Sequence, residues 1–274
     1  MRVVVVGGGT AGHVIPALPV IAELKDRGHD VAFIGTRSGL EEDLVADAGI
    51  EFHGISAGKL RRYFSWENFT DLFRIAAGMW QAWRLLGYLR ADAVFSKGGF
   101  VSFPVAAAAW VRRVHLVAHE SDLSPGLANR LVLPFAKTLC VSFAATFANG
   151  APRGGARVVH TGTPIRESMQ NGDPERGRAL VGGRGLPLLV VTGGSLGADR
   201  LNEVVREAAP RLAERYDVLH VCGPGKAVPL SIAGYEQREY VSEGWGDIVA
   251  AARLVVSRAG ANALFELLST AKPN

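Results

Sequence analysis

The sequence predicts an α/β protein built from two doubly wound parallel-sheet domains, and three observations carry that expectation. An apolar strand runs into a glycine loop twice, in Val3-Val4-Val5-Val6-Gly7-Gly8-Gly9-Thr10-Ala11-Gly12 and in Leu188-Leu189-Val190-Val191-Thr192-Gly193-Gly194-Ser195-Leu196-Gly197, roughly one domain's length apart. Strand-like and helix-like segments alternate almost throughout, as they do when parallel strands are joined by helical crossovers. The 274 residues, 48% hydrophobic and 20% charged, are enough to fill two modest cores.

Each element follows from its residues. The Val3–Val6 run reads as a strand buried on both faces. Glycines at its carboxyl end let the backbone turn sharply with no Cβ in the way. A helix opened there points bare N–H groups and its positive dipole end at an anion. Further strands are expected near residues 31–34, 51–55, 93–96, 114–118 and 138–142, and the longest helix from about Trp66 to Leu89. Asn149–Gly155 and Gly182–Pro187 break the alternation. The domains are accordingly placed at 1–162 and 163–274, the second with strands near 188–192, 217–222, 238–241 and 254–257. Ala271-Lys272-Pro273-Asn274 follows a helix where another strand is due, so the second domain reads as truncated.

Composition narrows the function classes. The formal charge is +4 and the isoelectric point about 9.3, yet no basic run with interleaved aromatics tracks a nucleic-acid backbone. Anionic small molecules or an anionic membrane surface account for the excess, and no nucleic-acid partner is expected. The nearly apolar stretch Phe100–Val111 is too short to span a bilayer, and Met1-Arg2 leads straight into a strand, leaving no room for a signal peptide. Cys140 and Cys222 sit in apolar runs and read as buried thiols in a reducing cytoplasm.

Several residues carry candidate chemistry. Gly7-x-Gly9-x-x-Gly12 fits the dinucleotide fingerprint, but the second strand is followed by Gly35-Thr36-Arg37 rather than a ribose-binding acid, leaving an NADP-dependent oxidoreductase as the alternative of that kind. His13, at the start of the helix after the first loop, is a candidate general base or a residue that merely packs the turn. Glu266 falls within two turns of the helix after Ser257-Arg258-Ala259-Gly260, where it either holds ribose hydroxyls or complements the helix dipole. Arg166 and Arg258 are candidate phosphate forks or solvated surface residues. The acids of Glu41-Glu42-Asp43 lie on an amphipathic helix, and no metal clamp or cofactor is expected. Lys59-Leu60-Arg61-Arg62-Tyr63-Phe64-Ser65-Trp66 joins basic and aromatic residues ahead of a helix carrying Phe69, Phe73, Trp80 and Trp83, either a core-facing stripe or a patch for anionic lipid headgroups.

Taken together, Gly8–His13 with Pro16-Ala17-Leu18, Lys97-Gly98-Gly99-Phe100-Val101-Ser102, His119-Glu120-Ser121-Asp122 with Pro125–Asn129, Gly193–Ala198 and Arg258–Glu266 make the chain resemble, over its whole length, the MurG family of UDP-N-acetylglucosamine transferases that complete lipid II on the cytoplasmic face of the bacterial membrane. The resemblance implies a GT-B fold, two Rossmann-like domains facing across a cleft, and metal-free inverting transfer of N-acetylglucosamine to the 4-hydroxyl of the muramoyl sugar of lipid I. It implies His13 as base, and acceptor contacts from Gly9, Thr10, Ala11, Gly12, Phe100, Glu120 and Asn129. On the donor side it places Thr10, Gly12, Arg166, Gly194, Ser195, Leu196, Gly197, Arg258, Gly260, Ala263, Leu264 and Glu266, with Leu60, Arg61, Arg62, Tyr63, Phe64 and Trp80 toward the membrane. Ala11 stands where most relatives have glycine, which costs about 1 kcal/mol or more if the position needs positive φ. Ser121-Asp122 replaces a common Gln-Asn, and Phe100 a common tyrosine. Relatives continue beyond residue 274, so poor donor binding and no turnover are expected of the isolated chain; a different GT-B transferase with a lipid-linked acceptor is the nearer alternative.

Overall fold

The computed structural model describes residues 1–8, 11–37, 41–46, 48–58, 67–147, 152 and 154–272. They form two compact units, Met1–Pro164 and Ile165–Asn274. The first runs β1 (Arg2–Gly7), α1 (Ala11–Val14), α2 (Leu18–Asp26), β2 (Asp30–Thr36), α3 (Glu41–Ala46), β3 (Glu51–Ile55), α4 (Glu67–Tyr88), β4 (Ala93–Gly98), α5 (Ser102–Arg112), β5 (His115–Glu120), α6 (Leu127–Val132), β6 (Thr138–Val141) and β7 (Arg157–His160). The second runs α7 (Glu167–Gln170), α8 (Pro174–Val181), β8 (Leu188–Thr192), α9 (Asp199–Ala213), β9 (Asp217–Val221), β10 (Tyr235–Arg238), α10 (Trp245–Ala251), β11 (Ala252–Ser257) and α11 (Ala261–Ser269).

Among the described residues the first sheet has the order β3-β2-β1-β4-β5-β6-β7 and the second β10-β9-β8-β11. Pairing between neighbouring strands is parallel throughout. The two apolar runs hold the central places because only there are both faces covered. Val4 and Val6 of β1 enter one core while Val3 and Val5 enter the other. Leu188 and Val190 of β8 divide from Leu189 and Val191 in the same way. The repeat seen in sequence is thus a repeat of sheet position.

Some expectations change. β7 was not anticipated, and the strand expected at 238–241 is β10, which begins at Tyr235. The helix after the first loop is a single turn, because Pro16 diverts the chain into a short 3-10 turn before α2. Of the acids on α3, Glu41 is buried while Glu42 and Asp43 are exposed. Cys222 is buried, whereas Cys140 is only half-buried. On α4 the core-facing positions are Ile75, Ala82 and Leu86, while Phe73 (73%), Trp80 (57%) and Trp83 (42%) are exposed, which rules out a core-facing aromatic stripe for those three. Phe69 has no described side chain, and Leu60, Arg61, Arg62, Tyr63 and Phe64 lie outside the described residues. No helix among the described residues is long and apolar enough to cross a membrane.

Candidate active site

In a doubly wound sheet the crevice forms at the carboxyl edge, where the crossovers on either side of a central strand diverge. In the first unit that point lies between β1 and β4, whose ends pair through Gly7 and Gly98. The loops that follow are in backbone contact. Gly99 has φ +90°, and a Cβ there would meet the Gly8 carbonyl oxygen at 1.9 Å. Gly9 and Thr10 lie outside the described residues, as does the Ala11 side chain. Ala11 is the first residue of α1.

His13 is half-buried, with its ring beside the Lys97–Gly98 backbone. The point where a Gly98 Cβ would stand is 3.4 Å from His13 Nδ1 and 3.6 Å from Asn129 Oδ1, so two polar groups converge above Gly98. Burial holds the His13 pKa below its ordinary value, and the Lys97 ammonium lowers it further against smaller opposing effects of the Lys97 backbone, Glu120 and Asp122. α1 is one turn long, so burial and these neighbours, rather than a helix dipole, act on the ring.

The partners of that pair are fixed in turn. Asn129 Nδ2 donates to the His119 carbonyl (3.1 Å) and to Glu120 Oε2 (2.9 Å), which leaves Oδ1 buried with no hydrogen-bond partner among the described residues. Glu120 also accepts the Asp122 N–H (2.9 Å) and the Gly126 N–H (3.1 Å), so its carboxylate ties down the loop after β5. Lys97 is 2% exposed and donates to Ser121 Oγ; burial brings its pKa down to about 8, opposed by Glu120 and Asp122. His119 donates from Nε2 to the Gly162 carbonyl at 3.0 Å, and burial, then Lys97, depress its pKa to about 4. Gly12 and Phe100 are exposed at the same edge. Under the first loop, Glu41 accepts from Thr36 Oγ1 at 3.1 Å, and a Cβ on Gly8 would come within 2.8 Å of its Oε1. Arg37 is turned aside and donates to the Gly54 carbonyl (3.3 Å).

In the second unit the corresponding point lies between β8 and β11, where Thr192 pairs with Ser257. Gly197, at φ +69°, donates its N–H to the Gly194 carbonyl (2.9 Å) and closes a turn whose tip, Ser195 and Leu196, is exposed. Behind it stands a buried chain that sequence reasoning missed. Asn202 Nδ2 donates to the Cys222 carbonyl (2.8 Å), His220 Nε2 donates to Asn202 Oδ1 (2.9 Å), and the Tyr235 hydroxyl donates to His220 Nδ1 (2.7 Å). Arg258 and Gly260 are exposed beyond β11, and Ala263 and Leu264 are half-buried on α11. Glu266 of α11 grips Arg166 in a fork, with Oε1 2.8 Å from Nε and Oε2 3.0 Å from Nη2.

Two parallel-sheet units, each opening a glycine loop at its own switch point, have the anatomy of GT-B glycosyltransferases, and that is the class of this protein. The glycosyltransferase family 28 N-terminal domain matches residues 3–141 and the glycosyltransferase family 28 C-terminal domain residues 188–274. The chain belongs to glycosyltransferase family 28 and, within it, to the UDP-N-acetylglucosamine--N-acetylmuramyl-(pentapeptide) pyrophosphoryl-undecaprenol N-acetylglucosamine transferases, the MurG family. Relatives of that name from Geobacillus thermodenitrificans and Lachnoclostridium phytofermentans are 44% and 46% identical over 99% and 100% of this chain, covering 77% of each relative. The crystal structure of Acinetobacter baumannii MurG superposes with a TM-score of 0.69 at 26% identity, over 98% of this chain and 76% of that one. These matches do not favour the oxidoreductase reading of the first loop or a transferase with a different acceptor.

Proposed function

We propose that this protein transfers N-acetylglucosamine from its UDP derivative to the 4-hydroxyl of the muramoyl sugar of lipid I, forming lipid II with inversion at the anomeric carbon. His13 removes the proton as the hydroxyl oxygen attacks, the bond from the anomeric carbon to the β-phosphate oxygen breaks, and UDP departs with the electron pair. The first glycine loop, Phe100 and Asn129 receive the acceptor, with Glu120 keeping Asn129 in place. Ser195 and its loop, with Arg258, meet the charge growing on UDP, where fixed donors act most strongly. Glu266 takes the ribose hydroxyls, its carboxylate oriented by Arg166. The first unit rests on the cytoplasmic face of the membrane through the aromatic side of α4.

The observation that supports this reading most directly is the His13 ring, half-buried and with a lowered pKa, at the crevice between β1 and β4. Transfer from radiolabelled donor to a lipid I analogue tests it. In the chain extended by the C-terminal segment that its relatives carry, His13→Ala is expected to slow turnover about a hundredfold or more with the donor KM unchanged. Saturating UDP is expected to raise the melting temperature, since a ligand at 100 times its Kd stabilises by about 2.7 kcal/mol, while NADPH leaves it unchanged. An unchanged His13→Ala rate removes the base, and protection by NADPH instead of UDP removes the function.

A further inference from the structure

We propose that Lys97 is a positioning residue for the base: its backbone seats the His13 ring, and its buried ammonium sets the field in which that ring accepts a proton. The inference rests on the reading of His13 as the base. Lys97 is the penultimate residue of β4, at the register shift between its Val6–Ser96 and Gly7–Gly98 pairs with β1, and the next residue, Gly98, is the surface against which the ring lies. At 2% exposure its ammonium is buried against Ser121, and it acts through what it touches.

A buried, unpaired lysine is costly, and here the cost is offset by the Ser121 hydroxyl and by the field of Glu120 and Asp122. The groups acting on His13 are Lys97 from β4, Glu120 from β5 and Asp122 from the loop beyond. The two acids favour protonation of the ring, and Lys97 opposes them from between the strands. Without that ammonium, burial alone would hold the ring neutral against two carboxylates that favour its protonation. Asp122 thereby acquires a counter-charge. His119, on the neighbouring strand, feels the same cation.

The test is an NMR titration of His13 in the ligand-free protein, beside the pH profile of kcat/KM of the chain extended by the segment its relatives carry. Lys97→Met is expected to raise the His13 pKa and to move the acid limb of the profile upward by the same amount, leaving the KM for the nucleotide sugar unchanged. Lys97→Arg is expected to restore the wild-type titration. His220, in the other unit, serves as an internal control and should not move. If the Met variant does not fold, Lys97→Gln, which still donates to Ser121, reads the same shift. An unmoved His13 titration overturns the positioning role even where His13→Ala abolishes transfer. A shifted titration alongside a fully active His13→Ala protein overturns the base, and the positioning role with it.

Discussion

His220 shows what a single buried residue contributes. Its ring accepts from Tyr235 and donates to Asn202, which uses both nitrogens and fixes the neutral form. Burial, then the Arg206 charge, lower its pKa to about 4, and His119 in the other unit is lowered to about 4 by burial and Lys97. An unfolded histidine titrates near 6.5. Between those values the unfolded chain binds a proton that the folded chain refuses, so acidification favours unfolding. The stabilising contribution is complete above pH 6.5 and is lost as the pH falls toward 4. At about 1.4 kcal/mol per pH unit, each histidine accounts for about 3 kcal/mol of that loss. Urea midpoints at pH 7 and pH 4.5 should therefore differ strongly, and His220→Gln should flatten the acid dependence while lowering stability at pH 7. A variant with the wild-type pH slope would show that the ring titrates normally in the fold.

The glycine loops work as elements, and two glycines of similar backbone angle separate conformation from crowding. Gly225 has φ +69° and open space where a Cβ would stand. Gly197 has the same φ, but its Cβ would lie 1.9 Å from the Cys222 carbonyl oxygen, itself held by Asn202. Gly225→Ala should cost about 1 kcal/mol, the penalty of the left-handed region alone. Gly197→Ala should cost about 3 kcal/mol or more, because the turn or β9 must move, and should also abolish stabilisation by UDP. Equal costs in urea titrations would mean that the loop is loosely seated. These loops were legible in the sequence because glycine in that setting answers a backbone demand. Strands β1 and β8 were legible because burial on both faces demands unbroken apolar runs. Arg157-Val158-Val159-His160 escaped notice as β7 because it is four residues long, lies at a sheet edge and is largely exposed. The burial of Lys97, Glu41, Asn202 and His220 went unread, since a polar residue type says surface until the fold supplies its neighbour. Asn202 and His220 are 18 residues apart in the chain.

At the scale of the molecule, a chain carrying +4 formal charge bears an aromatic helix face that no described core residue covers. The Arg84 guanidinium lies 5.0 Å from the Trp80 ring and that of Arg112 4.4 Å from Trp83, and Arg112 also donates to the Trp83 carbonyl. With Arg37 and Tyr88 these side chains line an open groove of about 790 Å³. Exposed indole rings gain by entering the headgroup region, and guanidiniums held beside them meet lipid phosphates at the same depth. Attraction of that kind is screened, with a Debye length falling from about 10 Å at 0.1 M salt to about 3 Å at 1 M. Vesicles of mixed neutral and anionic lipid should therefore sediment the protein at 0.1 M salt and release most of it at 1 M. Trp80 and Trp83 are about half exposed and each carries an arginine over its ring, so replacing both with alanine should cost about 1 kcal/mol each and leave the fold intact. The same double variant should bind vesicles about tenfold more weakly, since each ring withdrawn from the interface forfeits apolar area that the arginines do not replace. Equal sedimentation with purely neutral vesicles, or unchanged binding by the double variant, would place the membrane contact elsewhere on the chain and leave the aromatic face of α4 without a role.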